Sequence, residues 1–319
     1  MTRKITSRTK RQTKLVVSDN DGTILSVHFW FAPAMLAAIP IVAAAMKEPI
    51  EIVGGEIGRN MINHLALETA FPFVGPYFAE KWKGTHEEFV EQVTKPYFNI
   101  VDSVLNKYCS AFPGVRETFD EAELLGAKVA ILSDAPMQAT LAKLTALGLN
   151  KRVAGVYSLE PHIPQGAEVW NQADFDFCFE RLQRVLGLAS GFDTSKIVQL
   201  PRTFEKPNTQ GLLQVLSDFK VTVAQAIMLG DSCQKDGGVA HALGMRFGFA
   251  RYGVNDFTPP QYTEVVSSIL NPFHDKTIFW QQVAMPPRLP PIHKVLTTYA
   301  DVIPILRANR RKSARVKAA

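Results

Sequence analysis

Asp19-Asn20-Asp21-Gly22-Thr23 places two carboxylates two residues apart in a glycine-containing turn. On such a turn one carboxylate can face an electrophile while the other stands beside the leaving group as acid and base. Gly22 permits the sharp turn and lets backbone amides approach an anion. The competing explanation is an Asp-rich turn with no chemistry. A second pair, Asp231 and Asp236, follows Gly230. Two carboxylates at this spacing suit a hard divalent ion that takes a few protein oxygens and keeps several waters; a helix cap is the structural alternative. Ser133 could offer its hydroxyl to a phosphate oxygen, or be a turn serine. Lys206, just before Pro207, would draw an anion if that proline opens a helix, and is otherwise a surface lysine.

The elements around these residues decide whether they can meet. Leu15-Val16-Val17-Ser18 is a short apolar run stopped by Asp19, which reads as a buried strand. A helical pattern over residues 115–126 leads to the strand Val129-Ala130-Ile131-Leu132, which ends at Ser133. Helical spacing over 137–148, a strand at 153–159, a helix over 173–187, a strand at 197–200 and a helix over 207–219 follow. Ala226-Ile227-Met228-Leu229 then ends at Gly230-Asp231, and 245–250 closes the series. Alternating strands and helices predict an α/β fold with a doubly wound parallel sheet. In such sheets, ligands bind where strand carboxyl ends cluster at the switch in strand order. The polar loops at Asp19, Ser133 and Asp231 should converge there.

Taken together and in this order, the segments resemble the four motifs of the haloacid dehalogenase superfamily: D-x-D-G-T, a Ser or Thr after a strand, a Lys, and G-D-x-x-x-x-D. The resemblance covers residues 15–23 and 113–250, including Pro113-Gly114-Val115 ahead of the second motif. It implies that Asp19 is a nucleophile that forms an aspartyl-phosphate and that Asp21 is the acid and base. It implies further that Ser133 and Lys206 hold phosphoryl oxygens. Asp19, the backbone carbonyl of Asp21, Asp231 and Asp236, the last directly or through water, would surround Mg²⁺. Elementary electrostatics agrees, because a phosphoryl group beside several carboxylates requires a metal and a cation. Asp21 points to phosphate esters, since family members that expel halide lack a second aspartate and ATP-driven pumps carry threonine there. Two features depart from the pattern. The interval from Ser133 to Lys206 is long, at 73 residues, and Asn20 is polar where an apolar residue is common.

These readings divide the chain into a basic tail (1–14), a core (15–23 and 113–276) with a possible small insertion at 160–195, and two further parts. Residues 24–112, too long for a connection, form an inserted, mainly helical domain. In the resembling family a helical cap at this place closes over the leaving group, which makes His28, Trp30, Arg59 and Asn60 candidate substrate contacts. Residues 277–319, with their proline-rich start, read as an appendage outside the catalytic core.

The net charge of +5 sits at the ends: residues 1–14 and 306–319 hold 12 basic residues and no acid, which leaves 23 basic against 30 acidic residues elsewhere. Such tails can touch nucleic acid or anionic lipid, or remain solvated. Three widely spaced cysteines and no CxxC pair suggest a reducing compartment. No signal-peptide pattern precedes the first strand, so the cytoplasm is expected. Phe29 to Met46 is apolar and uncharged, but Pro33 and Pro40 interrupt it and the catalytic turn lies close by, so a buried helix is expected rather than a membrane span. The reading is a Mg²⁺-dependent hydrolase of a small phosphorylated substrate. The alternatives are a phosphomutase, or a nucleic-acid-associated protein, including an end phosphatase, that uses its basic tails. Sequence does not settle the oligomeric state.

Overall fold

A computed structural model describes residues 12–63, 71–162, 176–177, 180–181, 193–255 and 291–308. Strand β1 (Leu15–Ser18) is buried on both faces: Leu15 and Val17 enter one apolar cluster and Val16 the other. That alternation lets a four-residue strand serve two layers, as a parallel sheet covered by helices requires. The other strands are β2 (Lys128–Pro136), β3 (Gly155–Leu159), β4 (Ile197–Leu200), β5 (Ala226–Gly230), β6 (Arg246–Ala250) and β7 (Lys294–Leu296). All pairings are parallel, in the order β4-β3-β2-β1-β5-β6-β7. The chain leaves β1 for β2 on one side and later returns to β5 on the other. The topological switch therefore falls at β1, directly under Asp19.

Between β1 and β2 the described chain is largely helical: α1 (His28–Met46), α2 (Ile50–Asn63), α3 (Pro76–Lys81), α4 (His86–Phe89), a π-helical turn (Val90–Thr94) and α5 (Lys95–Tyr108). A capping box starts α4: the Thr85 hydroxyl accepts from Glu88 N–H at 3.2 Å, and Glu88 Oε2 accepts from Thr85 N–H at 2.8 Å. α1 packs on α5, burying Trp30, Met35, Val42, Tyr97 and Phe98. By length and composition Phe29–Met46 could cross a membrane, yet 56% of it is buried within the protein. Its outer side nevertheless exposes Phe29, Leu36 and Ile41.

After β2 come α7 (Met137–Ala146), which follows α6 (Val115–Leu124) in chain order, α8 (Gln210–Asp218) and α9 (Asp236–Ala242). The expected helix from Pro207 begins only at Gln210, so Pro207 belongs to the preceding turn rather than to the first helical turn. Strand β2 does not stop at Ser133; it continues to Pro136 across a register shift. Most of the expected helix at 173–187, and with it most of the possible insertion at 160–195, lies outside the described residues.

The carboxyl-terminal region corrects the appendage reading. Residues 294–296 are the seventh strand, paired with β6 at Gly248–Ala250. Tyr299, Val302 and Leu306 are buried in the core. Tyr299 N–H donates to Pro113 C=O at 3.2 Å, and Arg307 bonds both oxygens of Glu121 at 2.8 and 2.7 Å. A three-residue edge strand carries too little alternation to show in the sequence, and the proline-rich run before it masks the change. Arg307 is thus a paired residue, whereas 1–11 and 309–319, the bulk of the basic ends, lie outside the described residues.

Candidate active site

Asp19 leaves β1 with its N–H bonded to Leu229 C=O at 2.9 Å, so the nucleophile candidate is fixed against β5. The chain then turns tightly, because Asn20 C=O accepts from the N–H groups of Thr23, Ile24 and Leu25. Gly22 sits at φ 72°, and any side chain there would run into the Asp231 carboxylate. Glycine is therefore required twice over, by conformation and by space. Gly230 has a matching role at the end of β5, where a side chain would overlap Asp236. Thr23 turns its hydroxyl toward Asp231 Oδ1 at 3.4 Å and completes the link between the two loops.

The carboxylates of Asp19, Asp231 and Asp236 each bring an oxygen within 4.8 Å of the others. Asp19 and Asp236 are almost fully buried. Lys206, also buried, donates from Nζ to Asp19 Oδ1 at 2.7 Å, Asp236 Oδ1 at 2.6 Å and Leu132 C=O at 3.3 Å. The long interval before it does not keep Lys206 from the site. Its backbone N–H is held by Asp134 Oδ1 at 3.1 Å, and Asp134 is bridged in turn by Lys235, which also pairs with Glu205.

One ammonium faces three carboxylates here. Burial pushes Asp19 well above the usual carboxylate range; Lys206 opposes this, and Asp236 and Asp231 reinforce it. Burial and the Asp236 charge lift Asp231 to about 7. Asp236 is raised by burial against the pull of Lys206. Burial disfavours the Lys206 ammonium, but Asp19, Asp236 and Asp134 more than offset that and hold it well above its ordinary range. The cluster is thus short of positive charge, and an all-oxygen donor set of this kind fits a hard divalent cation.

Ser133 is buried near the carboxyl end of β2, with its Oγ accepting from Ala135 N–H at 3.2 Å. Ser18 of β1 is paired with Ile131, so Ser133 stands at the same edge of the sheet as Asp19. Asp21 points elsewhere: both of its oxygens accept from Lys143 Nζ at 2.7 Å. Lys143 lies on α7 and is fully buried. Sequence reasoning passed over it. The one available signal was a lysine on an alanine-rich helix face, flanked by Ala139, Ala142 and Ala146, where the other long polar side chains of a helix would be solvated.

The candidates in the helical region separate. Trp30 is buried with its ring 5.9 Å from Lys143 Nζ, which brings it to the edge of the site. Arg59 lies on the exposed side of α2 and pairs with Glu56 at 3.3 Å. Asn60 is buried and donates to Pro72 C=O at 2.7 Å, tying down a loop. The structure brings neither to the acidic cluster. The side chain of His28 lies outside the described residues.

The chain is similar in fold to a 2-haloacid dehalogenase from Pseudomonas syringae, with a TM-score of 0.53 and 16% identity over 93% of this chain and 99% of the other. A predicted phosphoglycolate phosphatase from Haemophilus somnus matches with a TM-score of 0.47 and 15% identity, covering 93% and 99% of the two chains. A HAD phosphatase from Thermococcus onnurineus matches with a TM-score of 0.48 and 14% identity, covering 93% and 100%. A search of curated proteins found no match. The family model for haloacid dehalogenase-like hydrolases matches residues 13–244, and the chain belongs to that family.

Proposed function

We propose that the protein is a Mg²⁺-dependent phosphate monoesterase that works through an aspartyl-phosphate on Asp19 and acts on a small phosphorylated metabolite. The observation that carries this reading is the meeting of Asp19, Asp231, Asp236 and Lys206 beside a second carboxylate, Asp21, that has its own lysine. An enzyme that expels halide needs no proton donor, whereas an alkoxide leaving group does. Asp21 supplies that group.

Asp19, Asp231 and Asp236 would hold the cation, which neutralises phosphoryl charge and lets the anionic nucleophile and substrate approach. Asp19 attacks phosphorus; the Asp19 Oδ–P bond forms as the ester P–O bond breaks. Protonated Asp21 delivers its proton to the departing oxygen, and the alcohol leaves. Asp21, now a carboxylate, takes a proton from water as that water attacks phosphorus, and Asp19 is released with inorganic phosphate. Lys206 and Ser133 steady the phosphoryl oxygens through both halves, while Lys143 fixes where the Asp21 carboxylate points. Cys233 is a buried free thiol, which suits a cytoplasmic setting.

The test is phosphate release from a panel of sugar phosphates, nucleotides and phosphoglycolate, with and without Mg²⁺, for the wild type and for Asp19→Asn. Release should require Mg²⁺. The variant should lose roughly 10³-fold or more in kcat while keeping the wild-type circular dichroism. Activity that survives in Asp19→Asn would refute the nucleophile assignment.

A further inference from the structure

Past residue 244, where the family match ends, the chain runs through β6 into a short helix, α10 (Arg251–Asn255), which lies against β7. Two residues of α10 meet the turn that carries Asp21. The Tyr252 hydroxyl donates to Thr23 C=O at 2.7 Å. Gly253 comes so close to the Gly22 peptide that any side chain there would overlap the Gly22 carbonyl oxygen and meet Asp231. The Tyr252 ring also packs edge-to-face on Phe112, with ring centres 4.9 Å apart.

Phe112 marks the point where the chain comes back from the helical region. It leaves the core just after Thr23, and the outgoing and returning segments are joined by Phe112 N–H donating to Ile24 C=O at 2.8 Å and by a bridge between Leu25 and Ala111. One side chain therefore touches both the turn and the junction. The turn has use for such a hold. Asp19 is fixed on β5 through its own N–H, but the N–H groups of Gly22 and Thr23 bond only inside the turn, to Leu25 and Asn20. The Thr23 hydroxyl reaches Asp231 at 3.4 Å, a long and weak link.

We propose that Tyr252 is a positioning residue for Asp21. By holding Thr23 C=O it sets where the backbone carries the acid and base, and by packing on Phe112 it ties that setting to the junction of core and helical region. Lys143 orients the Asp21 carboxylate from one side, and Tyr252 holds the backbone on the other. Asp19 lies upstream of this hold, so loss of the phenol hydroxyl displaces the acid and leaves the nucleophile in place. The proposal rests on the monoesterase reading for its effect on turnover, though not for its effect on the turn.

Two measurements separate those effects. Tyr252→Phe removes the hydroxyl and keeps the ring on Phe112, so it should fold. Tyr157→Phe is the control, since it removes a comparable bond, to Asp218 at 2.9 Å, between β3 and α8. In the first measurement, kcat/KM for phosphate release with Mg²⁺ is determined on an alkyl and an aryl monoester. Tyr252→Phe should lose about tenfold on the alkyl ester and less than about threefold on the aryl ester, whose leaving group needs little protonation. Tyr157→Phe should change neither by more than about twofold. In the second, amide hydrogen exchange is followed in peptides covering 20–26 and 110–114. Tyr252→Phe should speed exchange in both by about fivefold, as expected for the loss of one neutral hydrogen bond, and leave 155–159 as in the wild type. Faster exchange in both peptides of an enzyme that hydrolyses neither ester upholds the hold on the turn and removes the monoesterase. Exchange unchanged in either peptide, equal losses on the two esters, or a Tyr157→Phe variant that loses as much as Tyr252→Phe overturns the proposal.

Discussion

The two sides of the Asp21–Lys143 pair are built on different principles. On the sheet side, Asp19, Asp231, Asp236 and Lys206 are crowded together against their own electrostatics, with one ammonium for three carboxylates, two of them buried. On the helical side, the cavity between α1, α5 and α7 is walled largely by apolar and aromatic side chains, and its two cations are paired, Lys143 with Asp21 and Arg181 with Asp102. The first arrangement is short of positive charge and fits a cation; the second is electrically balanced and largely apolar. On the proposed reading, the sheet edge would handle the phosphoryl group and the helices what it is attached to.

Removing Lys206 should break the sheet side most severely. Lys206→Met leaves Asp19 and Asp236 buried with neither their ion pair nor their donor. Breaking such a buried pair typically costs about 3–5 kcal/mol, and turnover should fall by roughly 10³-fold. The stability loss should be larger at pH 8 than at pH 5, since the stranded carboxylates can take up protons in acid. Chemical denaturation at the two pH values checks this; an equal loss at both would show that Lys206 acts by packing alone.

Lys143→Met should do less, because Asp21 is partly solvated. A loss of about tenfold to a hundredfold in kcat is expected for alkyl phosphates. It should be smaller for an aryl ester with a good leaving group, which needs little help from Asp21. Lys143→Arg should recover part of the loss, and Lys143→Met should add little to Asp21→Asn. Equal losses on both ester types would reduce Lys143 to a packing residue.

The legibility of the sequence follows the same division. Asp19 and Asp231 were visible because chemistry at a strand end demands particular residue types near glycines, and Gly22 and Gly230 each leave room for a carboxylate; Lys206 was visible by its place before Pro207 and in the order of motifs. The strands β1 and β5 were visible as short apolar runs stopped by those residues. Lys143 was not, since it sits inside an ordinary helix and gains its role only from its contact with Asp21. Strand β7 was hidden by its brevity. The substrate contacts of the helical region were the least legible, for polar residues on helices serve loops and neighbours as readily as ligands. Asn60 holds Pro72 and Arg59 holds Glu56.

The charge deficit on the sheet side also predicts how pH and metal should trade. Burial holds Asp231 at about 7, with Asp19 and Asp236 raised as well. Each binds a proton more readily folded than unfolded, so the metal-free protein gains stability from them at low pH and loses it as pH rises from about 4 through 7. Mg²⁺ competes with those protons, and its affinity should rise by up to about tenfold per pH unit between 6 and 7. The melting-temperature gain on adding Mg²⁺ to EDTA-treated protein should accordingly be greater at pH 8 than at pH 5.5. A gain independent of pH would place the cation elsewhere.

The smallest expected effect tests the helical side from its far end. Arg59→Ala removes an exposed i,i+3 ion pair with Glu56, a contact usually worth about 0.2–0.5 kcal/mol, and should change kcat/KM by less than about twofold on any ester. Arg59 is exposed on α2, whereas Trp30 and Gln138 are buried on α1 and α7 and line the cavity between α1, α5 and α7. A tenfold loss in Arg59→Ala, specific to one ester, would mean that α2 reaches the substrate when the site is occupied. The specificity surface would then extend beyond the cavity, along a face that carries polar residues spaced like any solvated helix.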